Sequence, residues 1–114
     1  MSIPERDWRL LRSAQSAALE RYCTRVLDEC ATAIRGAEPA HDRYLRLFRL
    51  LQERNAAMAA AFDDLRRSTA IQRLAVMIAL GAVTDAELDL FSAPTREAAK
   101  ALAEMYSAPN ETSE

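Results

Sequence analysis

The sequence predicts an all-α protein, a long antiparallel helical hairpin followed by two short C-terminal helices. Its 114 residues include only two glycines and four prolines, few turn-forming residues for a protein of many strands. Residues that favour helices, namely Ala, Leu, Glu and Arg, are abundant. One row of side chains recurs in steps of four and three, the rhythm of a helix packed along another helix: Tyr44, Phe48, Leu51, Asn55, Met58, Phe62 and Leu65.

The first helix is predicted to start at Ser2 and to run to Gly36. Ser2, Pro4 and Glu5 match a helix start, with a capping serine, a proline in the first turn and a glutamate at the capping-box position. Apolar residues then share one stripe at helical spacing: Trp8, Leu11, Leu19, Tyr22, Cys23, Val26, Cys30, Ala33 and Ile34. This stripe is expected to face the core.

The turn at residues 36–40 is so short that the first two helices must be antiparallel neighbours. Folding the chain there places Cys23 near Asn55. It also brings together four residues that form a candidate polar site: Arg12, Gln15, Asp63 and Asp64. Arg12 is expected to pair with one of the two acids or to stack on Trp8, and a ligand-facing role is the alternative.

The second helix begins near His41 and has no strong stop for about forty residues, because no Gly or Pro occurs between Ala40 and Leu80. Ser68 and Thr69 are the one weak point. A continuous helix would be about 60 Å long, whereas a compact domain of this size is roughly 35 Å across. The sequence leaves a break near Ser68 open but favours the long helix, which would need a partner.

Two uncharged stretches indicate where that partner would bind. Residues 55–62 lack charge on every side, and residues 74–80 form the most apolar run of the chain. A helix that is apolar all round is buried on more than one side. The sequence therefore predicts a homodimer that completes a four-helix bundle. The predicted interface residues are Asn55, Ala57, Met58, Ala60, Ala61, Leu74, Met77 and Ile78.

The C-terminal part is predicted to hold two short helices. Thr84 and Glu87 form a capping box that opens a helix through Phe91. Ser92 and Pro94 then open the last helix. Residues 1–106 are expected to form a single helical domain, and residues 107–114 are expected to be a disordered acidic tail.

Charge and hydropathy bear on the partners and the location. A net charge of −2 and a pI near 5.5 give no general attraction to nucleic acid or to anionic membranes. The chain lacks a signal-peptide pattern at its start and a run long enough to span a bilayer, so a cytoplasmic location is expected. Lys100 is the only lysine, which fits the codon usage of a GC-rich bacterial genome.

The sequence predicts no catalytic residue, no metal ligand and no cofactor. His41 is the only histidine, and its Glu-x-x-His spacing with Glu38 spans a proline and has no second copy. Cys23 and Cys30 lie about 10 Å apart along one helix, too far for a disulfide, and are expected to stay reduced and inert. No glycine-rich loop is present to bind phosphate.

The predicted function is therefore non-enzymatic association, as a homodimer and as an adaptor or regulator of another protein. Two alternatives stay open. One is a nucleic-acid-associated regulator that uses the basic face at Arg43, Arg46, Arg49 and Arg54. The other is a sensor that binds an apolar ligand in an interior lined by Ala and Met side chains.

Overall fold

The computed structural model describes the backbone of residues 2–112 and the side chains of residues 2–106, and within these residues it contains helices and no strand. The prediction of an all-α fold is confirmed. The helices are α1 (Glu5–Ile34), α2 (Ala40–Phe62), α3 (Ala70–Ala79), α4 (Asp85–Asp89) and α5 (Ala93–Thr112), with a 3₁₀ turn at Arg67–Thr69 before α3.

The first two helices form the expected antiparallel hairpin. The side-chain amide of Gln15 donates to the carbonyl oxygen of Phe62 at 3.4 Å. The Tyr22 hydroxyl donates to the carbonyl oxygen of Arg54 at 3.3 Å. Helix α1 starts after Pro4, without the side-chain cap predicted for Ser2. The hairpin makes the molecule elongated, with a radius of gyration of 16.1 Å, above the roughly 13 Å of a compact domain of this size.

The second helix is not continuous to Leu80, so the expectation of a single long helix is wrong. Helix α2 ends at Phe62, Asp63 is extended, and Asp64 takes a left-handed conformation with φ 55°. Aspartate is one of the few residues other than glycine that adopt this conformation, because its short side chain hydrogen-bonds locally. The break therefore needs neither glycine nor proline.

Side chains downstream of the break bind the backbone groups that the helix end leaves unpaired. Arg73 donates from Nε to the carbonyl oxygen of Asp63 at 2.7 Å and from Nη1 to that of Ala60 at 3.1 Å. The Thr69 hydroxyl donates to the carbonyl oxygen of Asp64 at 2.9 Å. The last carbonyls of a helix have no partner within the helix, so these bonds stabilise the end of α2 where it lies.

After the break, helix α3 folds back and packs against α5, α2 and α1. Its buried side chains join those of the other helices in one core. The larger core members are Ile3, Leu11, Tyr22, Val26, Phe62, Leu74, Met77, Leu88 and Phe91. The most apolar run of the sequence is thus covered within the chain, without a partner.

The C-terminal part matches the prediction at α4 and departs from it at α5. The capping box is present, with Glu87 N–H donating to Thr84 Oγ1 at 3.1 Å and Thr84 N–H to Glu87 Oε1 at 2.9 Å. Helix α5 is 20 residues long and therefore not short. The backbone of residues 107–112 continues α5, residues 113 and 114 lie outside the described residues, and disorder of the tail stays a prediction.

Candidate functional site: an exposed apolar face on the hairpin

Helix α2 meets α1 through a row of residues one position before the predicted row. Arg43, Leu47, Leu50 and Arg54 are half-buried and follow one another in steps of four, three and four. Arg54 marks the contact, because its guanidinium makes two hydrogen bonds to the Glu29 carboxylate at 2.9 and 3.0 Å. The residues that pack against α1 are thus rotated about the α2 axis relative to the predicted row.

This rotation exposes the first half of the predicted row. Tyr44, Phe48 and Leu51 each follow an inward residue by one position, which turns them by about 100° around the helix. Their side chains remain 64, 51 and 39 % exposed, and Asn55 is exposed as well. The second half of the row does pack inward, since Phe62 is buried and Met58 is half-buried.

Helix α1 exposes two apolar residues on the same side. Leu27 and Ile34 each follow a buried residue by one position, and they are 66 and 53 % exposed. In two antiparallel helices that face each other, a step of one residue turns both side chains toward the same side of the pair. We call this surface the hairpin face, and its members are Leu27, Ile34, Tyr44, Phe48 and Leu51.

Helices α3 and α4 cover the opposite side of the hairpin. Arg25 precedes the buried Val26 by one position and so points away from the hairpin face. Its guanidinium donates to the carbonyl oxygens of Leu80 and Gly81, at the end of α3. The five members of the hairpin face remain 39–66 % exposed, so no other described element of the chain covers them.

The predicted interface residues do not share one surface. Asn55 and Ala60 are exposed, while Ala57, Met58 and Ile78 are half-buried against the core. Ala61, Leu74 and Met77 are 0–1 % exposed. These three belong to the core of a single chain because α3 folds back, and their assignment to an interface is corrected.

The four residues of the predicted polar site have separate structural partners. The Arg12 guanidinium lies over the ring of Trp8, 5.8 Å from the ring centroid. Stacking on Trp8 is one of the two contacts that the sequence predicted for Arg12. Gln15 binds the last carbonyl of α2. Asp63 is the exposed end of that helix, and Asp64 pairs with Arg66 at 2.8 Å. The expected pairing of Arg12 with Asp63 or Asp64 is not among these contacts.

A buried carboxylate that the sequence reasoning missed joins the two ends of the chain. Asp7 is fully buried and accepts hydrogen bonds from Ser92 N–H at 3.0 Å, Ser92 Oγ at 2.5 Å and Thr95 Oγ1 at 2.6 Å. Burial raises its pKa, but these bonds outweigh that effect and hold the pKa of Asp7 below 3.8. The carboxylate on α1 thus binds Ser92, just before α5, and Thr95, in the first turn of α5, and no local pattern indicates this pairing across 85 residues.

A second polar cluster joins α4 to α1. The Arg21 guanidinium donates to both Glu87 carboxylate oxygens, at 3.1 and 3.3 Å, and to the carbonyl oxygen of Ala82. Burial raises the pKa of Glu87, but the Thr84 N–H and Arg21 lower it overall. The Asp7 cluster and the Arg21–Glu87 cluster both hold helices together. In each cluster the polar groups already bond to one another.

Comparison with protein families, curated proteins and solved structures found no match to this chain. Within the described residues, no three His, Cys, Asp or Glu side chains are grouped so that they could hold a metal ion. Each described helix is too short or too polar to cross a membrane. Five of the eight large apolar residues that are exposed in the described part of the chain lie on the hairpin face.

The two cysteines provide a probe of this surface. Cys30 is buried, while Cys23 is half-buried and follows the buried Tyr22 by one position, which places it beside the hairpin face. We expect a thiol reagent to modify Cys23 well before Cys30, because access limits the reaction of a buried thiol. Intact-mass measurement over time checks this, with Cys23→Ser as the control. Equal rates would contradict the described hairpin packing.

Proposed function

We propose that this protein is a non-enzymatic association protein that forms a homodimer through the hairpin face and serves as an adaptor or regulator of another protein. The observation that supports this proposal is the face itself. Five large apolar side chains, each 39–66 % exposed, lie together on one side of the hairpin. Single exposed apolar residues are common on proteins, but a contiguous group of this kind marks an interaction site.

The size of the hairpin face fits a protein partner. Its five side chains expose on the order of 500 Å², near the upper limit for the largest patch of a monomer. A standard interface buries about 800 Å² on each partner. The apolar side chains would supply the centre of such an interface, and the polar residues around them would supply its rim.

Nucleic-acid binding has less support, because three of the four arginines in the predicted basic face already have partners. Arg46 pairs with Glu38 and Arg54 with Glu29. Arg43 donates to the carbonyl oxygens of Ile34 and Glu38. Phosphate binding would require these contacts to be exchanged, and it would weaken steeply with salt.

One cavity keeps the ligand-sensor alternative open. It has a volume of about 420 Å³ and lies between α1, α2 and the end of α3. Ala57, Ala79 and Leu80 give it an apolar wall, while Arg25, Arg54 and Glu29 make it partly polar. The charged groups that line the cavity are already bonded to one another or to backbone carbonyl oxygens. They would therefore contribute little to the affinity for an apolar molecule.

The dimer is tested by placing a charge at the centre of the hairpin face. We expect the wild-type protein to show twice the chain mass of 12.7 kDa by light scattering at micromolar concentration. Phe48→Glu should weaken association at least about thirtyfold, the effect of a 2 kcal/mol hot spot, because it buries a charge without a partner.

Arg49→Glu is the matched control. Arg49 is the next residue along α2, is exposed, and precedes the inward Leu50, so it points away from the hairpin face. This variant should remain dimeric. A wild-type protein that is monomeric at all concentrations, or a Phe48→Glu variant that keeps its dimer, would refute the proposal.

A further inference from the structure

We infer that the second copy binds with its α2 antiparallel to α2 of the first, so that Tyr44 of each copy meets Asn55 of the partner subunit. This inference rests on the proposed function, since it requires a dimer on the hairpin face. It goes further by assigning the direction of packing and the residue pairs that meet. The occupant is a second copy of this chain.

The exposed row on α2 has the spacing of a helix that packs on another helix. Tyr44, Phe48, Leu51 and Asn55 follow one another in steps of four, three and four, which is the pattern of a helix that packs lengthwise on another helix. Helix α1 packs on the adjacent row of Arg43, Leu47, Leu50 and Arg54, so it does not account for this pattern. A further helix, from outside the chain, would account for it.

This row can pack against a copy of itself. A symmetric dimer places the same surface on both sides of the interface, so a row carrying charges of one sign would face a row of the same sign. The row contains no charges. The charged residues Arg46, Arg49 and Glu53 each precede an inward residue by one position and therefore lie on the opposite side of α2.

The residues of this row favour antiparallel packing of the two α2 helices. In a parallel dimer equal positions meet, so the Asn55 amides would face each other, as would the two Tyr44 rings. In an antiparallel dimer with Phe48 opposite Leu51 of the partner subunit, the same spacing places Tyr44 opposite Asn55 of the partner subunit. The Asn55 amide then has the Tyr44 hydroxyl of the second copy as a hydrogen-bond partner. The aromatic side chains of Tyr44 and Phe48 then meet the smaller side chains of Asn55 and Leu51.

Helix α1 completes the arrangement. The register of the hairpin, given by the Gln15–Phe62 and Tyr22–Arg54 bonds, places Leu27 beside Leu50 and Ile34 beside Arg43. The exposed residues of α1 therefore lie at the same height as those of α2. Two hairpins facing each other would bury both sets and form a four-helix bundle.

Disulfide trapping tests the direction of packing. Tyr44→Cys and Asn55→Cys are each made in a Cys23→Ser background, purified separately and then mixed, with one chain carrying a mass tag. We expect a mixed disulfide between the two variants under mild oxidation. Each variant alone should stay uncross-linked, because equal positions lie about 16 Å apart along antiparallel helices, beyond the reach of a disulfide.

Glu53→Cys is the control, because it lies on the opposite side of α2 and should not cross-link with any variant. Disulfides within each single variant would show a parallel dimer and overturn the inference. A dimer by light scattering with no cross-link in any mixture would overturn it too. In both cases the proposed dimer itself would stand, whereas a wild-type monomer would remove both proposals.

Discussion

Asp7→Ala is expected to lower the free energy of unfolding by about 2–4 kcal/mol, through loss of buried hydrogen bonds to a charged acceptor. The wild-type carboxylate accepts bonds from the Ser92 N–H and from the hydroxyls of Ser92 and Thr95, and it is fully buried. Alanine leaves these donors without their acceptor. Urea denaturation followed by circular dichroism measures the loss.

The pH dependence of the same variant provides a second readout. The pKa of Asp7 lies below its ordinary value of 3.8, because the donated hydrogen bonds outweigh the effect of burial. The unfolded chain therefore takes up the proton at higher pH than the folded chain, and stability rises with pH in this range. The stabilisation by Asp7 should be complete above pH 3.8 and should fade as the pH falls below it.

Asp28→Ala is the control for Asp7, since it removes an exposed carboxylate from the same helix. Its effect should stay within about 0.5 kcal/mol, as for most surface substitutions. The stability difference between wild type and Asp7→Ala should shrink in acid, whereas that of Asp28→Ala should stay small throughout. A small loss for Asp7→Ala at neutral pH would contradict the buried hydrogen bonds described for Asp7.

Leu74→Ala is expected to lower the free energy of unfolding by about 2–5 kcal/mol, because it removes a buried side chain and leaves a cavity. Leu74 is 1 % exposed inside a single chain. The loss should therefore be independent of protein concentration over the range in which the proposed dimer is expected to persist. Denaturation at several concentrations, together with light scattering, checks this.

Met105→Ala is the matched control, because Met105 is a large apolar residue of α5 that is 68 % exposed. It should change stability by less than about 0.5 kcal/mol. If Leu74→Ala instead dissociated the dimer while the monomer stayed fully stable, Leu74 would be an interface residue, as the sequence alone predicted. That result would contradict the packing of α3 into the core.

Local sequence patterns determined the type of structure and several helix ends. The scarcity of glycine and proline predicted helices, and the turn at residues 36–40 predicted an antiparallel hairpin, with Gln15 reaching the end of α2 as expected. The capping box of Thr84 and Glu87 is equally local. These features depend on residues close in sequence or on the direct pairing of two consecutive helices. The sequence alone therefore suffices to predict them.

Only the tertiary structure decided where the second helix ends and which of its sides faces inward. Asp63 and Asp64 break the helix because Arg73 and Thr69 bind the carbonyl groups released there, an interaction that no propensity records. The row from Tyr44 to Leu65 satisfied the packing rhythm, but its neighbour one position earlier satisfies the same rhythm. A rotation of 100° separates the two rows, and the packing of α1 and α3 against α2 selects between them.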